Sequence, residues 1–275
     1  MTKNKQTKDK FVIEASDVST AWANVLLEVG KPGKRSNPIC VVITDQGNNP
    51  PLLHRSIHNT LNNFLMKRKE TKDKFVTIEE TASTIFPYKK WELSGRIGIE
   101  ALQKWYIGTY LKKYKARCTF SKETYFERMV NFRCVKSNKT ADEITHLNQL
   151  EYLINKWNTQ TISPTKSEMQ LSCFDPGKDH TDPHGLKFPC LQQLGFWITP
   201  NKQLTLSAFY TTQYIDSRAY GNYFGLLYLG KFLAQQTHSV FHSLRCMVSN
   251  PLLEAKKCLL KDVFTEAKNY RIQEN

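Results

Sequence analysis

The chain of 275 residues carries 39 lysine and arginine residues against 25 aspartate and glutamate residues, and its formal net charge is +14. Its content of 40% hydrophobic residues is enough for the large core of a globular domain. It contains no run of about 18 apolar residues, so no membrane span is predicted. The first residues are charged and lack the apolar stretch of a secretory signal peptide.

The seven cysteines are scattered along the chain, and no two of them form a Cys-x-x-Cys motif. An odd number of dispersed cysteines favours reduced thiols over a disulfide framework, and it therefore predicts a cytoplasmic protein. The residues are Cys40, Cys118, Cys134, Cys173, Cys190, Cys246 and Cys258.

Much of the positive charge is concentrated in three clusters. The first falls in residues 1–12, which we predict to be a basic, disordered tail ahead of a single domain over residues 13–275. A positive field attracts phosphate groups, so nucleotides and nucleic acids are both candidate partners, and a merely solvated lysine surface is the alternative. The clusters are Lys3, Lys5, Lys8 and Lys10; Lys67, Arg68, Lys69, Lys72 and Lys74; and Lys112, Lys113, Lys115 and Arg117.

Apolar residues recur at helical spacing in several stretches of the N-terminal half. The stretch Phe75–Phe86 is expected to begin as a strand and to become a helix, with Glu79 and Glu80 near the start of the helix. A β-branched run predicts a strand over Ile39–Thr44, and a further strand is expected over residues 168–174. The predicted helices cover Asp17–Val29, Pro50 to about Met66, Ser94–Lys115 and Asn148–Trp157.

Cys190 directly precedes a predicted β-hairpin. Apolar residues dominate Leu191–Ile198 and alternate along Gln203–Thr211, and the intervening Thr-Pro-Asn-Lys supplies turn chemistry. An apolar helix is predicted over Tyr223–Gln236. From this pattern alone Cys190 can be either a nucleophile at the mouth of the hairpin or a small core residue.

A polar loop with Asp216, Arg218 and Asn222 is predicted between the hairpin and the helix. It must pass the end of the sheet at which Cys190 lies, so these side chains are expected to face the cysteine. A neighbouring cation lowers the pKa of a thiol, and Arg218 is the local candidate. The stretch Asp179–Gly185 also combines histidine and aspartate, but its irregular spacing favours a polar loop over a metal site.

The order of these features resembles thymidylate synthase and the related pyrimidine nucleotide hydroxymethylases, over roughly residues 124–250. That family has a Pro-Cys pair at a strand start, a hairpin, a polar loop with an aspartate, and an asparagine leading into a helix. The matching residues are Pro189-Cys190, Tyr210, Asp216, Asn222 and Ala234-Gln235-Gln236. Upstream, Tyr125–Met129 looks like the family's Tyr-Gly segment, and Ser163-Pro164 followed by Asp175-Pro176 looks like the approach to its cysteine.

The resemblance implies an α+β fold in which a thymidylate-synthase-like central sheet is flanked by helices, and a homodimer packed sheet to sheet. In that family the cysteine thiolate adds to C6 of a pyrimidine nucleotide, and C5 then attacks a one-carbon unit from 5,10-methylenetetrahydrofolate. The hairpin itself carries apolar residues on both faces, among them Leu194, Phe196 and Trp197, and this independently calls for cover on both sides.

The family's site roles would fall on residues of this chain as follows. Cys190 would be the nucleophile, with Tyr125 lining the pocket and Glu79 or Glu80 helping proton transfer at the ring. An acidic residue in a first helical turn is also expected from the helix dipole alone. Substrate and folate contacts would come from Asn222 at the pyrimidine edge, Arg218, Arg35 as the nearest counterpart of a phosphate-binding loop arginine, and Asp216 at the pterin ring.

The chain departs from the family where the substrate phosphate is bound. Ser167 and Glu168 stand where the family has an Arg-Arg pair, and Thr211-Thr212-Gln213 stands where another phosphate arginine is expected. Cys246-Met247-Val248 replaces the His-x-Tyr that holds the ribose. Each lost charge-assisted hydrogen bond is worth roughly 1.5–3 kcal/mol, so an ordinary enzyme converting dUMP to dTMP is not expected.

Three functions remain open. The first is a divergent enzyme that transfers a one-carbon unit to C5 of a non-standard pyrimidine through a covalent adduct at Cys190. The second is a non-catalytic nucleotide-binding protein, and the third is a partner-binding subunit that retains the fold. Accessibility of Cys190 separates the first two, and the presence of a ligand site around it separates both from the third.

Overall fold

The computed structural model describes residues 11–31, 37–45, 47–71, 76–117, 123–137, 142–159, 166–180 and 188–274. The protein is α+β, as predicted. Its strands are β1 (Val12–Ala15), β2 (Ile39–Ile43), β3 (Phe132–Ser137), β4 (Asp142–Leu147), β5 (Gln170–Ser172), β6 (Leu191–Ile198), β7 (Gln203–Tyr214) and β8 (Val240–Leu252). Within the described ranges no helix combines the length and the apolarity needed to cross a membrane.

Most helices are short, and several adjoin a 3₁₀ or π-helical turn. The α-helices are α1 (Val18–Val29), α2 (Arg55–Thr71), α3 (Ile78–Ile85), α4 (Tyr88–Leu93), α5 (Ile99–Trp105), α6 (Leu111–Arg117), α7 (Tyr125–Val130), α8 (Gln149–Thr159), α9 (Pro176–Asp179), α10 (Tyr220–Gln236) and α11 (Lys261–Glu274). π-helical turns cover Tyr106–Tyr110 and Ile215–Ala219, and 3₁₀ turns cover Lys166–Glu168 and Lys257–Leu260.

Six strands form one mixed sheet in the order β1-β2-β8-β7-β6-β5, and β3 and β4 form a separate antiparallel hairpin. β1 and β2 are parallel, as are β8 and β7, whereas the other neighbours are antiparallel. Because parallel neighbours need a crossover connection, the chain between β7 and β8 must leave the sheet, and α10 is that crossover. The sheet therefore places the start of α10 at the end of β7.

α10 is the centre of the core. It is buried from Tyr220 to Ala234, and it packs on β7 and β8 on one side and on α3 on the other. A helix buried on all sides must be apolar all round, as this sequence is. Glycines allow the closest approaches: an added Cβ at Gly225 would lie 2.7 Å from the carbonyl oxygen of Ala82 in α3.

Residues on the two faces of the sheet are buried to different extents. Alternate residues of every central strand point toward α10 and are buried, for example Leu194, Leu206 and Cys246. On the opposite face Phe209 is 38% exposed and Val12 is 47% exposed. Cross-strand neighbours on that face are also only partly buried. They include Trp197, Cys40, Val42 and Met247.

The hairpin prediction is confirmed. β6 matches the predicted bounds, β7 extends three residues beyond the predicted end at Thr211, and the two strands are antiparallel neighbours in the central sheet. The strands expected at 39–44 and 168–174 are present in shorter form as β2 and β5. Of the disordered tail predicted over residues 1–12, residues 1–10 lie outside the described residues, and Val12 at its predicted end belongs to β1.

Several other predictions were wrong. The helix expected from Pro50 begins only at Arg55. The described part of Phe75–Phe86 contains no strand, because Thr77 caps α3 directly. The long helix expected from Ser94 begins at Ile99, after a turn in which Gly95 and Arg96 have positive φ angles, and a π-helical turn interrupts it.

The polar loop expected around Asp216 and Asn222 is helical, since a π-helical turn runs straight into α10. The sequence prediction also omitted β1, both strands of the β3–β4 hairpin, the sheet-central β8 and the short helices α4, α7 and α9.

Candidate functional site

Cys190 lies at one end of the central sheet, immediately before β6. Its carbonyl oxygen accepts a hydrogen bond of 3.1 Å from the backbone N–H of Thr211 in β7. The residue is partly exposed and packs against the core. The backbone N–H of the next residue, Leu191, donates to the hydroxyl of Tyr125 at 3.4 Å. The structure thus places Tyr125 beside the start of β6, next to Cys190.

Tyr125 is held in place by the capping of α7. The side chain of Thr124 accepts the backbone N–H of Glu127 at 3.0 Å, which fixes the first turn of the helix. The same Thr124 hydroxyl lies 2.6 Å from the hydroxyl of Tyr106. The position of the Tyr125 ring beside Cys190 therefore follows from a capped helix packed on an aromatic neighbour.

A buried arginine fastens α7 to the segment that leads toward Cys190. The guanidinium of Arg128 makes two parallel hydrogen bonds, of 2.6 and 2.7 Å, with the carboxylate of Asp179. It also donates to the carbonyl oxygen of Cys173 at 2.6 Å and lies 3.1 Å from Glu123. A bidentate arginine–carboxylate pair is both strong and geometrically specific. Arg128 is therefore a structural clamp, already satisfied by protein groups.

At this end of the sheet, two polar side chains of β7 are buried between the sheet and α10. Tyr210, the cross-strand partner of Leu191, is 0% exposed, and Gln213 is 2% exposed. The amide oxygen of Gln213 accepts a 3.0 Å hydrogen bond from the hydroxyl of Tyr223 in α10. No described residue is a hydrogen-bond partner of the Tyr210 hydroxyl or of the Gln213 amide nitrogen. We call Cys190, Tyr125, Tyr210, Gln213 and Tyr223 the Cys190 cluster.

The buried side chains of the Cys190 cluster are uncharged at neutral pH. Burial raises the pKa of Tyr210, with a further rise from the neighbouring Tyr125, and burial alone is the main reason that the pKa of Tyr223 is raised. Burial raises the pKa of the Cys173 thiol to about 12. Cys173 and its deeply buried counterpart Cys246 thus stay protonated at neutral pH and cannot act as thiolate nucleophiles. Cys190 is the partly exposed thiol at this site.

Asp216 does not line an open pocket, and this corrects the prediction. It is 0% exposed, and its two carboxylate oxygens accept backbone N–H bonds from Glu254 at 2.8 Å and Ala255 at 2.9 Å. Burial raises its pKa, although these amides oppose the rise. The residue braces the π-helical turn against the chain that follows β8.

Asn222 lies in the first turn of α10, which the hydrogen bond between Tyr223 and Gln213 holds over the end of β7. It is 6% exposed. An asparagine amide offers both donors and an acceptor to a ligand edge. Arg218 is half-buried in the preceding π-helical turn.

The two glutamates of α3 have different surroundings. Glu80 completes a capping box with Thr77 and pairs with Lys69, so its interactions are structural. Glu79 lies 3.4 Å from His58 of α2, and this hydrogen bond lowers the pKa of Glu79 to about 2. Glu79 is therefore ionised at neutral pH and can accept a proton but not donate one. Arg35 lies outside the described residues.

No group of histidine, cysteine, aspartate and glutamate suited to a metal ion occurs among the residues that the structure describes. The His180 ring instead contacts Phe174 and Phe188, with centroid distances of 5.1 and 6.0 Å. Residues 181–185 of the stretch Asp179–Gly185 lie outside the described residues.

Sequence reasoning missed the roles of Arg128, Gln213 and Tyr223. Tyr210 entered only as a point of alignment, and Gln213 only as a residue that replaces an arginine. A polar residue at the end of an otherwise apolar strand was the available signal for Gln213. The sequence alone could not show whether the Gln213 amide would find hydrogen-bond partners.

Comparison of the sequence with protein-family models and with curated proteins gives no match. What this site can do must therefore be inferred from its own geometry and chemistry.

Proposed function

We propose that the protein binds a pyrimidine nucleotide or a related pyrimidine at the Cys190 cluster and that Cys190 attacks the ring. One observation carries the proposal: a partly exposed thiol lies beside Tyr125 at the place where buried polar atoms of Tyr210 and Gln213 lack protein partners. Buried polar groups in folded proteins are almost always satisfied, so such atoms point to a missing polar ligand or water.

The reaction we propose is the transfer of a one-carbon unit to C5 of a non-standard pyrimidine. The Cys190 sulfur would form a bond to C6, and the electron pair of the C5–C6 double bond would move onto C5 and the conjugated carbonyl. C5 would then attack the carbon donor, with 5,10-methylenetetrahydrofolate as the donor that the family resemblance suggests. Loss of the C5 proton would expel tetrahydrofolate and leave an exocyclic methylene at C5. Addition of water would convert the methylene to a hydroxymethyl group, or hydride from the folate would convert it to a methyl group, and departure of the sulfur from C6 would then restore the ring. Glu79, which is ionised at neutral pH, is the candidate acceptor of the C5 proton.

The brace formed by Asp216 weakens its proposed role at the folate, because both its oxygens are already used. A protein that binds the pyrimidine without a carbon donor is therefore the second candidate. The two candidates differ in whether a ternary complex with the folate forms.

Mass spectrometry tests the proposal directly. We expect 5-fluoro-2′-deoxyuridine or its 5′-monophosphate to form a covalent adduct with the protein, on the peptide that contains Cys190. The fluorine cannot leave as the C5 proton does, so the adduct accumulates, and the folate should increase its mass only if the carbon transfer occurs. Cys190→Ser should abolish the adduct. Labelling of the exposed Cys258 instead would contradict the proposal.

We also propose a homodimer that packs through the partly exposed face of the central sheet. Phe209, Trp197 and Met247 contribute apolar surface to this face. Burying such surface against a second copy gains about 25 cal/mol for each Å² removed from water. Phe209→Asp would place a charge within that interface.

Sedimentation at micromolar concentration should accordingly show a dimer for the natural chain and a monomer for Phe209→Asp. Leu93→Asp is the matched control, because Leu93 is 88% exposed in α4 and away from the sheet. A natural chain that sediments as a monomer would contradict the dimer and leave the Cys190 proposal unaffected.

A further inference from the structure

We infer that Tyr210 and Gln213 form an uncharged hydrogen-bonding floor that receives the amide-like edge of the pyrimidine ring. This rests on the proposed function for the identity of the ring, and it assigns to these two residues a binding role that the family resemblance does not give them. It also specifies that the buried part of the ligand carries no charge.

The position of Tyr210 supports the assignment. The residue is fully buried on the α10 side of β7 and lies opposite Leu191, whose backbone N–H bonds Tyr125. Its hydroxyl is therefore next to the Cys190 end of β6, yet it has no partner within the described ranges. A hydroxyl buried without a partner destabilises the free protein, and phenylalanine would fill the same space without that penalty.

Gln213 is oriented by α10. The Tyr223 hydroxyl binds its amide oxygen at 3.0 Å, which leaves the amide nitrogen as the group without a partner in the described structure. The nitrogen is a donor and the Tyr210 hydroxyl can also donate, so the pair matches carbonyl acceptors such as those of a uracil ring. Neither group is charged at neutral pH.

Because the floor is uncharged, it can bind only an uncharged part of a ligand. A buried anion such as a phosphate would need a cation or several donors, because an unpaired buried charge is very unfavourable. The neighbouring buried cation, Arg128, is already engaged by Asp179 and by the carbonyl oxygen of Cys173. The floor is thus built for a neutral ring edge, and any charged part of the ligand must stay at the partly exposed Cys190 side.

Tyr210→Phe provides a test in which stability and binding change in opposite directions. We expect the melting temperature of the free protein to rise by about 2 °C, because an unsatisfied hydroxyl is removed. Binding of 2′-deoxyuridine, measured by calorimetry, should weaken about tenfold for the lost hydrogen bond. Tyr106→Phe is the matched control: its hydroxyl lies 2.6 Å from that of Thr124, so the same change should lower the melting temperature.

Gln213→Leu should likewise weaken 2′-deoxyuridine binding about tenfold. Binding to the natural chain that neither Tyr210→Phe nor Gln213→Leu weakens would overturn the floor and leave the proposed function standing. A lowered melting temperature for free Tyr210→Phe would also overturn the floor, because the hydroxyl would then have a structural partner. A natural chain that binds neither 2′-deoxyuridine nor its 5-fluoro analogue would overturn the proposed function and the floor together.

Discussion

Replacing Asp45 with alanine is expected to lower the free energy of unfolding by about 3–5 kcal/mol. Its partner Lys231 lies in the middle of α10 and is 1% exposed, with its ammonium 3.1 Å from the Asp45 carboxylate and 2.9 Å from the carbonyl oxygen of Gly47. The ammonium also lies 5.3 Å from the centre of the Phe241 ring. Without Asp45 the helix would bury a lysine that lacks its counter-charge.

The penalty should depend on pH in a defined direction. Burial lowers the pKa of Lys231 below its ordinary value of 10.5, and the Asp45 charge opposes that shift. In Asp45→Ala the opposition is lost, so the folded state would favour the neutral amine. A lysine with a lowered folded-state pKa destabilises the fold at low pH, and its penalty disappears as pH rises toward 10.5. The variant should therefore approach the natural chain in stability as the pH is raised.

Urea unfolding of the two single variants and the double variant measures how much this ion pair contributes to the free energy of unfolding. Lys231→Met should be less harmful than Asp45→Ala, because burial raises the pKa of Asp45 and the remaining carboxyl can take up a proton. The double variant Asp45→Ala/Lys231→Met should regain most of the stability, since the buried charges are removed together. A loss below about 1 kcal/mol for Asp45→Ala would mean that water reaches Lys231.

The hairpin was predictable because apolar residues dominate Leu191–Ile198 and alternate along Gln203–Thr211, and the turn between them contains proline and asparagine. β8 was missed even though it pairs on both sides, and local irregularity explains this. A register shift near His242 places Phe241 and Leu244 on the same buried face although they are three residues apart, so the period of two is broken. Pro251 then falls near the end of the strand, where proline weighs against a central strand.

The site could be predicted only in part from the sequence, for a different reason. Asp216 looks like a loop residue because it is polar, but its partners are backbone amides at Glu254 and Ala255, 38 and 39 residues further along the chain. Local sequence contains no sign of such a distant brace. The unpartnered atoms of Tyr210 and Gln213 are equally invisible in sequence, because an unsatisfied group is defined only once every neighbour has been placed.

Gly225→Ala is expected to lower the free energy of unfolding by about 2 kcal/mol, within the usual range for overpacking a core. An added methyl group would lie 2.7 Å from the carbonyl oxygen of Ala82, 3.0 Å from the Cβ of Ile85 and 3.1 Å from the Cα of Ala82. These atoms are backbone or the root of a side chain, so rotation of a flexible side chain cannot relieve the contact. α3 would have to move away from α10, and with it the helix that carries Glu79.

Gly108→Ala is the matched control, because Gly108 is also helical but exposed, and an added Cβ there meets no atom within 4 Å. Alanine fits a helix better than glycine, so this change should stabilise the protein by about 0.5–1 kcal/mol. Thermal unfolding should then show Gly225→Ala about 5 °C below the natural chain and Gly108→Ala slightly above it. Equal effects at both positions would mean that α3 and α10 do not cross at Gly225.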